Sequence, residues 1–243
     1  MSNYKLTIAY DGTNYRGWQY QPDQSTIQGT IHRALQIITK RRPKLYGAGR
    51  TDAGVHALGQ VANFHTKLSI PPDSMKRAIN SLIPPDIRIM KCEIVDDKFN
   101  ARFHSKGKVY EYRVYRGEIV SPFLYRYVAH VYFPLDVEAI KKASELLVGE
   151  KDFSSFTSES EGKNKIRKIE SFEVWEEGEM LYFRVRGNGF LKYMVRIMVG
   201  TLLEVGKGKI TLNDFEKILE AKDRTLAGPT APPQGLFLLK VLY

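Results

Sequence analysis

Apolar residues in this chain change period repeatedly, from every second residue to every third or fourth and back, and no proline-rich or glycine-serine linker interrupts the series over 243 residues. Leu6, Ile8 and Tyr10 alternate with polar or small residues as in a half-buried strand, and Asp11-Gly12-Thr13-Asn14 then reads as a turn. After Ser25, the residues Ile27, Ile31, Ala34, Leu35 and Ile38 share one helical face that stops near Pro43. A glycine-rich stretch leads to a strand expected from Gln60 to Thr66. A second helical face follows, Met75, Ala78, Ile79 and Leu82, closed by Pro84-Pro85 ahead of a strand near Ile87.

The pattern resumes near Lys108 with a strand that places Tyr110, Tyr112 and Val114 on one side. Another strand is expected from Tyr127 to Phe133, and Asp136 is positioned to cap a helix carrying Ile140, Ala143 and Leu147. Residues 157–168 hold few apolar groups and read as a surface loop. Strands flank Glu176-Glu177-Gly178-Glu179 as a hairpin. Leu191, Met194, Val195, Met198 and Leu202 mark an apolar helix, Thr211 to Asp214 resembles a capping box, and the chain ends on a strand from Leu236 to Leu242. Strands interleaved with helices in this way predict an α+β fold, helices packed on a largely antiparallel mixed sheet. Two similar halves are expected, 1–104 and 105–243, although no sequence repeat marks them.

Composition narrows the function. With 37 Lys and Arg against 27 Asp and Glu, a formal charge of +10 favours polyanionic partners, nucleic acid first. Tyrosines and phenylalanines often sit beside basic residues, as in Tyr15-Arg16-Gly17-Trp18, a mixture suited to phosphates and stacked bases and equally to core packing. One cysteine, Cys92, excludes an internal disulfide and points to a reducing, cytoplasmic setting. No signal peptide is expected at the N-terminus. The apolar stretch from Met194 to Leu203 is broken by Arg196 and Gly200, short of the roughly 20 residues of a membrane span, so no membrane association is expected.

One segment stands apart, Tyr46-Gly47-Ala48-Gly49-Arg50-Thr51-Asp52-Ala53-Gly54-Val55-His56-Ala57. Three glycines permit tight turning or close approach. The segment lacks the Lys-Ser/Thr ending of a nucleotide-binding loop. His56, His65 and His104 lack the paired spacing of a zinc motif, so no metal is expected. Taken alone, Asp52 reads as a turn residue capping its own backbone.

The stretch Gly49 to Ala57 nevertheless resembles the signature of the TruA family, tRNA pseudouridine synthases acting at positions 38 to 40 of the anticodon arm. Further segments match in the family's order: Tyr10 to Tyr15, Phe99 to Phe103, Lys108 to Tyr112, Gly187 to Arg196 and Ala227 to Leu236. The resemblance implies a pseudouridine synthase fold, a tRNA substrate, a homodimer and no cofactor, since isomerising uridine needs neither redox equivalents nor external energy. Asp52 would be the catalytic carboxylate, acting as nucleophile or as base at the ribose. Arg196, in the matching C-terminal motif, would be its charge partner. Arg50 would assist in flipping the target base out of its stack, and Tyr110 would hold the flipped uracil against its ring. Phe99, Asn100, Ala101, Arg102 and Phe103 match an RNA-contacting segment, with Asn100 standing where the family carries histidine. The half 1–104 would carry the aspartate and 105–243 would complete the cleft. Two rivals remain at this level, an inactive RNA-binding protein and a carboxylate-pair hydrolase, for which no second acidic residue occurs in the matched motifs.

Overall fold

The computed structural model describes residues 1–158 and 164–243. These fall into two compact units, Met1–Lys106 with Phe237–Tyr243, and Gly107–Leu236.

In the first unit, strand β1 (Ser2–Tyr10) alternates buried and partly exposed positions, as the period of two requires. Helix α1 (Ile27–Thr39) starts at Thr26, whose side chain accepts from Gly29 N, and ends where Lys40 adopts the left-handed conformation. Strand β2 (Leu45–Gly47) is short, and β3 (His56–Thr66) begins four residues before the expected Gln60. Helix α2 (Pro72–Leu82) opens on a proline, whose missing N–H is no loss at that position, and stops at the extended Ile83 before Pro84. Strand β4 (Ile87–Val95) completes an antiparallel set in which β1 lies between β3 and β4, with β2 on β3. Ile27, Ile31 and Leu35 of α1 and Met75 and Ile79 of α2 are fully buried, as are Leu6, Ile8 and Phe64. Leu82, placed on the helical face by spacing, is 43% exposed at the helix end.

The second unit opens with β5 (Gly107–Tyr115), to which β6 (Ala129–His130) adds two residues in parallel. The longer strand expected from Tyr127 to Phe133 is therefore a correction. Only Ala129 and His130 enter the ladder, and Tyr132 and Phe133 project outward, packed on each other. Helix α3 (Val137–Glu145) starts at Asp136, whose carboxylate accepts from Ala139 N at 2.9 Å. Strands β7 (Gly149–Asp152), β8 (Ile166–Glu177) and β9 (Met180–Gly187) run antiparallel in the order β5, β9, β8, β7. The loop expected over 157–168 thus ends before Ile166, because β7 pairs with residues 166–169; residues 159–163 of it lie outside the described residues.

Helix α4 (Met194–Gly206) is buried at every position except Arg196 and Glu204, which marks it as a core helix. Leu191 lies in the turn before it. Helix α5 (Leu212–Ala221) carries a complete capping box between Thr211 and Asp214. The chain closes with β10 (Leu236–Leu242), which pairs in parallel with the start of β3, Phe237 opposite His56 and Leu238 opposite Ala57. This pairing assigns the last seven residues to the first unit, where a division by sequence order puts them with the second half. No helix among the described residues is long and apolar enough to cross a membrane.

Candidate active site

The segment carrying Asp52 leaves β2 at Gly47 and re-enters the sheet at His56, so both ends are fixed by β3. Between them the backbone is neither helix nor strand. Ala48 N donates to Val61 O at 2.8 Å, and the Gln60 side chain donates to Gly49 O at 3.1 Å. Val55 N donates to Asp52 O at 3.2 Å and closes a turn, with Gly54 at φ +76°.

A second segment, the turn after β1, grips the first. Trp18 N donates to Thr51 O at 3.1 Å, and Gly54 N donates to Tyr15 O at 3.2 Å. Tyr10 and Thr51 share a hydroxyl hydrogen bond of 2.7 Å in a buried setting. Burial pushes the Tyr10 phenol far above its ordinary range, against the pull of Thr51, so it stays neutral. The approach is close enough to require glycine. A Cβ on Gly12 would meet Val55 O, and one on Gly17 would lie 2.6 Å from Thr51 O, at a φ of +89° that disfavours any side chain. His56, buried and stacked on Phe237, accepts from Gly12 N at 3.1 Å through Nδ1. Asp11 Oδ1 lies 3.2 Å from the same nitrogen.

The outcome is an aspartate, half-buried, on a short loop tied to its neighbours through the backbone of Ala48, Gly49, Thr51 and Gly54. Arg50, two residues earlier, is exposed. Spacing alone did not reveal Tyr10, Gly12, Tyr15, Gly17 and Trp18 as the holders of the loop. The signal available was a glycine pair and three aromatics in nine residues.

The remaining site residues of the first unit lie in the turn 99–103. Phe99 is half-buried and packs against Tyr243 and His104. Asn100 Oδ1 accepts from Arg102 N at 2.9 Å and Phe103 N at 3.2 Å, an Asx-type turn. Ala101 is fully buried; its N–H donates to Asn63 Oδ1 and its carbonyl accepts from Tyr243. Arg102 and Phe103 project outward, the phenyl ring 79% exposed. Five residues expected at one interface therefore divide into three that build the turn and two that it presents.

In the second unit, Tyr110 on β5 is 6% exposed and meets Phe190 edge to face at 5.1 Å. On α4, Arg196 Nε donates to Ala231 O at 2.7 Å, and its guanidinium lies 5.1 Å from the centre of the Tyr193 ring. Ala231 N returns a bond to Arg196 O at 3.0 Å. The segment 227–231 reaches the helix because Gly200 and Gly228 have no side chains: a Cβ on Gly200 would overlap Pro229 O, and Gly228 N donates to Thr201 Oγ1 at 3.0 Å. Arg196 is thus the one cation of a buried helix, held at Nε and by an aromatic face. Cys92 is buried with its thiol pushed up to about 12 by desolvation, which removes it as a nucleophile at neutral pH.

Residues 6–104 and 143–243, one stretch in each half, match the family model described as tRNA pseudouridine synthase. The chain belongs to this family. Among its relatives, a tRNA pseudouridine synthase A of Lacticaseibacillus casei is 48% identical over 248 residues, and one of Thermoanaerobacter is 43% identical over 244, each alignment covering all of both chains. One of Bacillus licheniformis is 46% identical over 242 residues, covering 98% of each chain. Membership makes the chain an isomerase of tRNA uridine. The clasped aspartate loop and the turn 99–103 fall in the first family stretch, the Arg196 helix and the segment 227–231 in the second.

Proposed function

We propose that the protein converts uridine to pseudouridine at one or more of positions 38, 39 and 40 in the anticodon arm of tRNA, with Asp52 as the catalytic carboxylate. The reaction breaks the bond from ribose C1′ to uracil N1, forms one from C1′ to C5, and replaces the proton lost at C5 with one on N1. Atoms and electrons balance within the nucleotide, so the reading includes no cofactor and no metal. The observation that carries it is Asp52 at the head of a backbone-clasped loop within a family stretch that matches almost the whole first half.

On this reading Asp52 acts at the ribose as nucleophile or as base. Arg196 is the proposed charge partner that keeps the carboxylate ionised, and Arg50 occupies the gap left when the base is extruded, which costs on the order of a few kcal/mol. Tyr110 is the proposed stacking partner of the flipped uracil, and Arg102 and Phe103 contact RNA from the turn that Phe99, Asn100 and Ala101 build. The half 1–104 contributes the aspartate and 105–243 contributes Tyr110 and Arg196. The finer expectations of a homodimer and of a cytoplasmic location belong to the same proposal, the first from family resemblance and the second from the single buried cysteine.

The test is pseudouridine formation in an unmodified tRNA transcript by wild type and by Asp52→Asn. The variant should lose at least about 10³-fold in rate while still binding tRNA. Equal rates would remove Asp52 from the mechanism, and no product from wild type would favour the binding-module rival.

A further inference from the structure

Away from the aspartate loop, the first unit carries a second concentration of charge. Lys40-Arg41-Arg42-Pro43-Lys44 sets four cations in five residues immediately after α1. Arg41, Arg42 and Lys44, joined by Lys67 beyond the end of β3, line an open groove of about 450 Å³ whose wall contains no carboxylate. All four are exposed, and none has an ion-pair partner among the described residues. Other cations of the chain do meet carboxylates, as in Lys76 with Asp73 and Lys141 with Glu138.

Local structure does not account for the run. Cations often complement a helix C-terminus, yet α1 has no basic residue in its last turn. Lys40 at φ +54° ends the helix and turns the chain so that the cations follow outside it. The Arg42 guanidinium lies 4.9 Å from the centre of the Tyr20 ring, a contact that orients the charge without cancelling it. Unpaired like charges at this density repel one another, and a short Lys/Arg-rich run of this kind is suited to a polyanion.

Position selects which polyanion. Strands β2 and β3 pair with Leu45 opposite Phe64 and Gly47 opposite Ala62, so Lys44 and Lys67 sit at the end of the pair away from the Asp52 loop. Eleven residue steps from His56 to Lys67, at ~3.3 Å each, make a separation of roughly 35 Å. A ligand that engages both places is a long chain of phosphates. We propose that the groove is a second docking surface for the phosphodiester backbone of the tRNA substrate, remote from the uridine being isomerised. The proposal rests on the reading of tRNA as substrate. Its contacts supply affinity and orientation rather than sequence discrimination, as phosphate contacts do.

The test uses the full chain with Arg42→Gln, Lys44→Gln and Lys67→Gln combined, and measures binding of an unmodified tRNA transcript from about 50 to 200 mM salt. Each phosphate contact contributes about 0.7 to 0.9 to the slope of log affinity against log salt, so the slope should flatten by about two. The charge-preserving set Arg42→Lys, Lys44→Arg and Lys67→Arg should keep the wild-type slope. A matched loss of three charges at Lys142, Lys209 and Lys217 should leave slope and turnover unchanged. An unchanged slope in the groove variant, or equal flattening in the matched control, overturns the proposal. Binding is read without turnover, so absence of pseudouridine from wild type would sink the functional reading while the slopes still decide the groove.

Discussion

Two irregular segments of the first unit are held in opposite ways. The Asp52 loop is gripped from outside, by amides and carbonyls of residues 15–18 and by the ends of β3, with the Thr51 hydroxyl bonded to Tyr10. The turn 99–103 is organised from within: Asn100 accepts two amides of its own turn, and Asn3 and Asn63 tie the peptides beneath it to β1 and β3. The first arrangement fixes a carboxylate and leaves it half-buried. The second fixes a base and leaves Arg102 and Phe103 free to project. A group that must hold one position during bond exchange is served by the first, and groups that must meet a large, variable polyanion by the second.

The comparison breaks most readily at Gly17. A Cβ there would lie 2.6 Å from a backbone oxygen, at a φ that L-residues reach only with strain. Strain of this kind costs roughly 1 to 3 kcal/mol before the clash is counted. Gly17→Ala is therefore expected to lower stability by about 2 kcal/mol or more and to reduce turnover at saturating tRNA. Thermal unfolding and single-turnover rates would measure both. A variant with wild-type melting and turnover would show that the grip from residues 15–18 does not position Asp52.

The presented turn should behave differently. Arg102→Ala with Phe103→Ala removes exposed groups and should change stability by no more than about 0.5 kcal/mol. Affinity for tRNA should fall, by ~1 to 3 kcal/mol if Phe103 stacks on a base and by a flatter salt slope if Arg102 meets a phosphate. Titration of tRNA at two salt concentrations separates these contributions. Lost stability with unchanged affinity would mean that the two side chains belong to the fold and not to the interface.

What sequence could show divides along the same line. Caps at Asp136 and Thr211, the proline boundary of α2 and the alternation of β1 are local, so residue type and spacing reveal them. Asn100 was also legible in principle, because asparagine commonly accepts from amides two and three residues on. Non-local facts were not. His56 to Gly59 lack strand alternation and enter the sheet through non-local pairs, Ala57 with Tyr10 of β1, and His56 and Ala57 with Phe237 and Leu238, some 180 residues away in the chain. Tyr127 to Phe133 alternates well enough but joins the ladder at two positions only. The aspartate itself was visible through its motif, whereas the roles of Gly12, Gly17 and Trp18 rest on backbone meeting backbone across more than thirty residues, which leaves no periodicity to read.

The smallest effect tests how far the outside grip depends on side chains at all. Tyr10→Phe removes one hydroxyl and leaves Thr51 Oγ1, in a buried setting, without its 2.7 Å partner. The expected loss is ~1 to 2 kcal/mol, less than at Gly17, because the bonds from Trp18 and Gly54 remain. Its pH dependence identifies the source. Burial holds the folded phenol above its unfolded value of about 10, so its contribution is complete at lower pH and declines only above about pH 10, as the unfolded state ionises first. The stability difference between wild type and Tyr10→Phe should therefore be constant from about pH 6 to 9 and shrink in stronger alkali. A difference that varied through neutral pH would show that the grip depends on a group other than this hydroxyl, since neither the phenol nor the backbone bonds change protonation there.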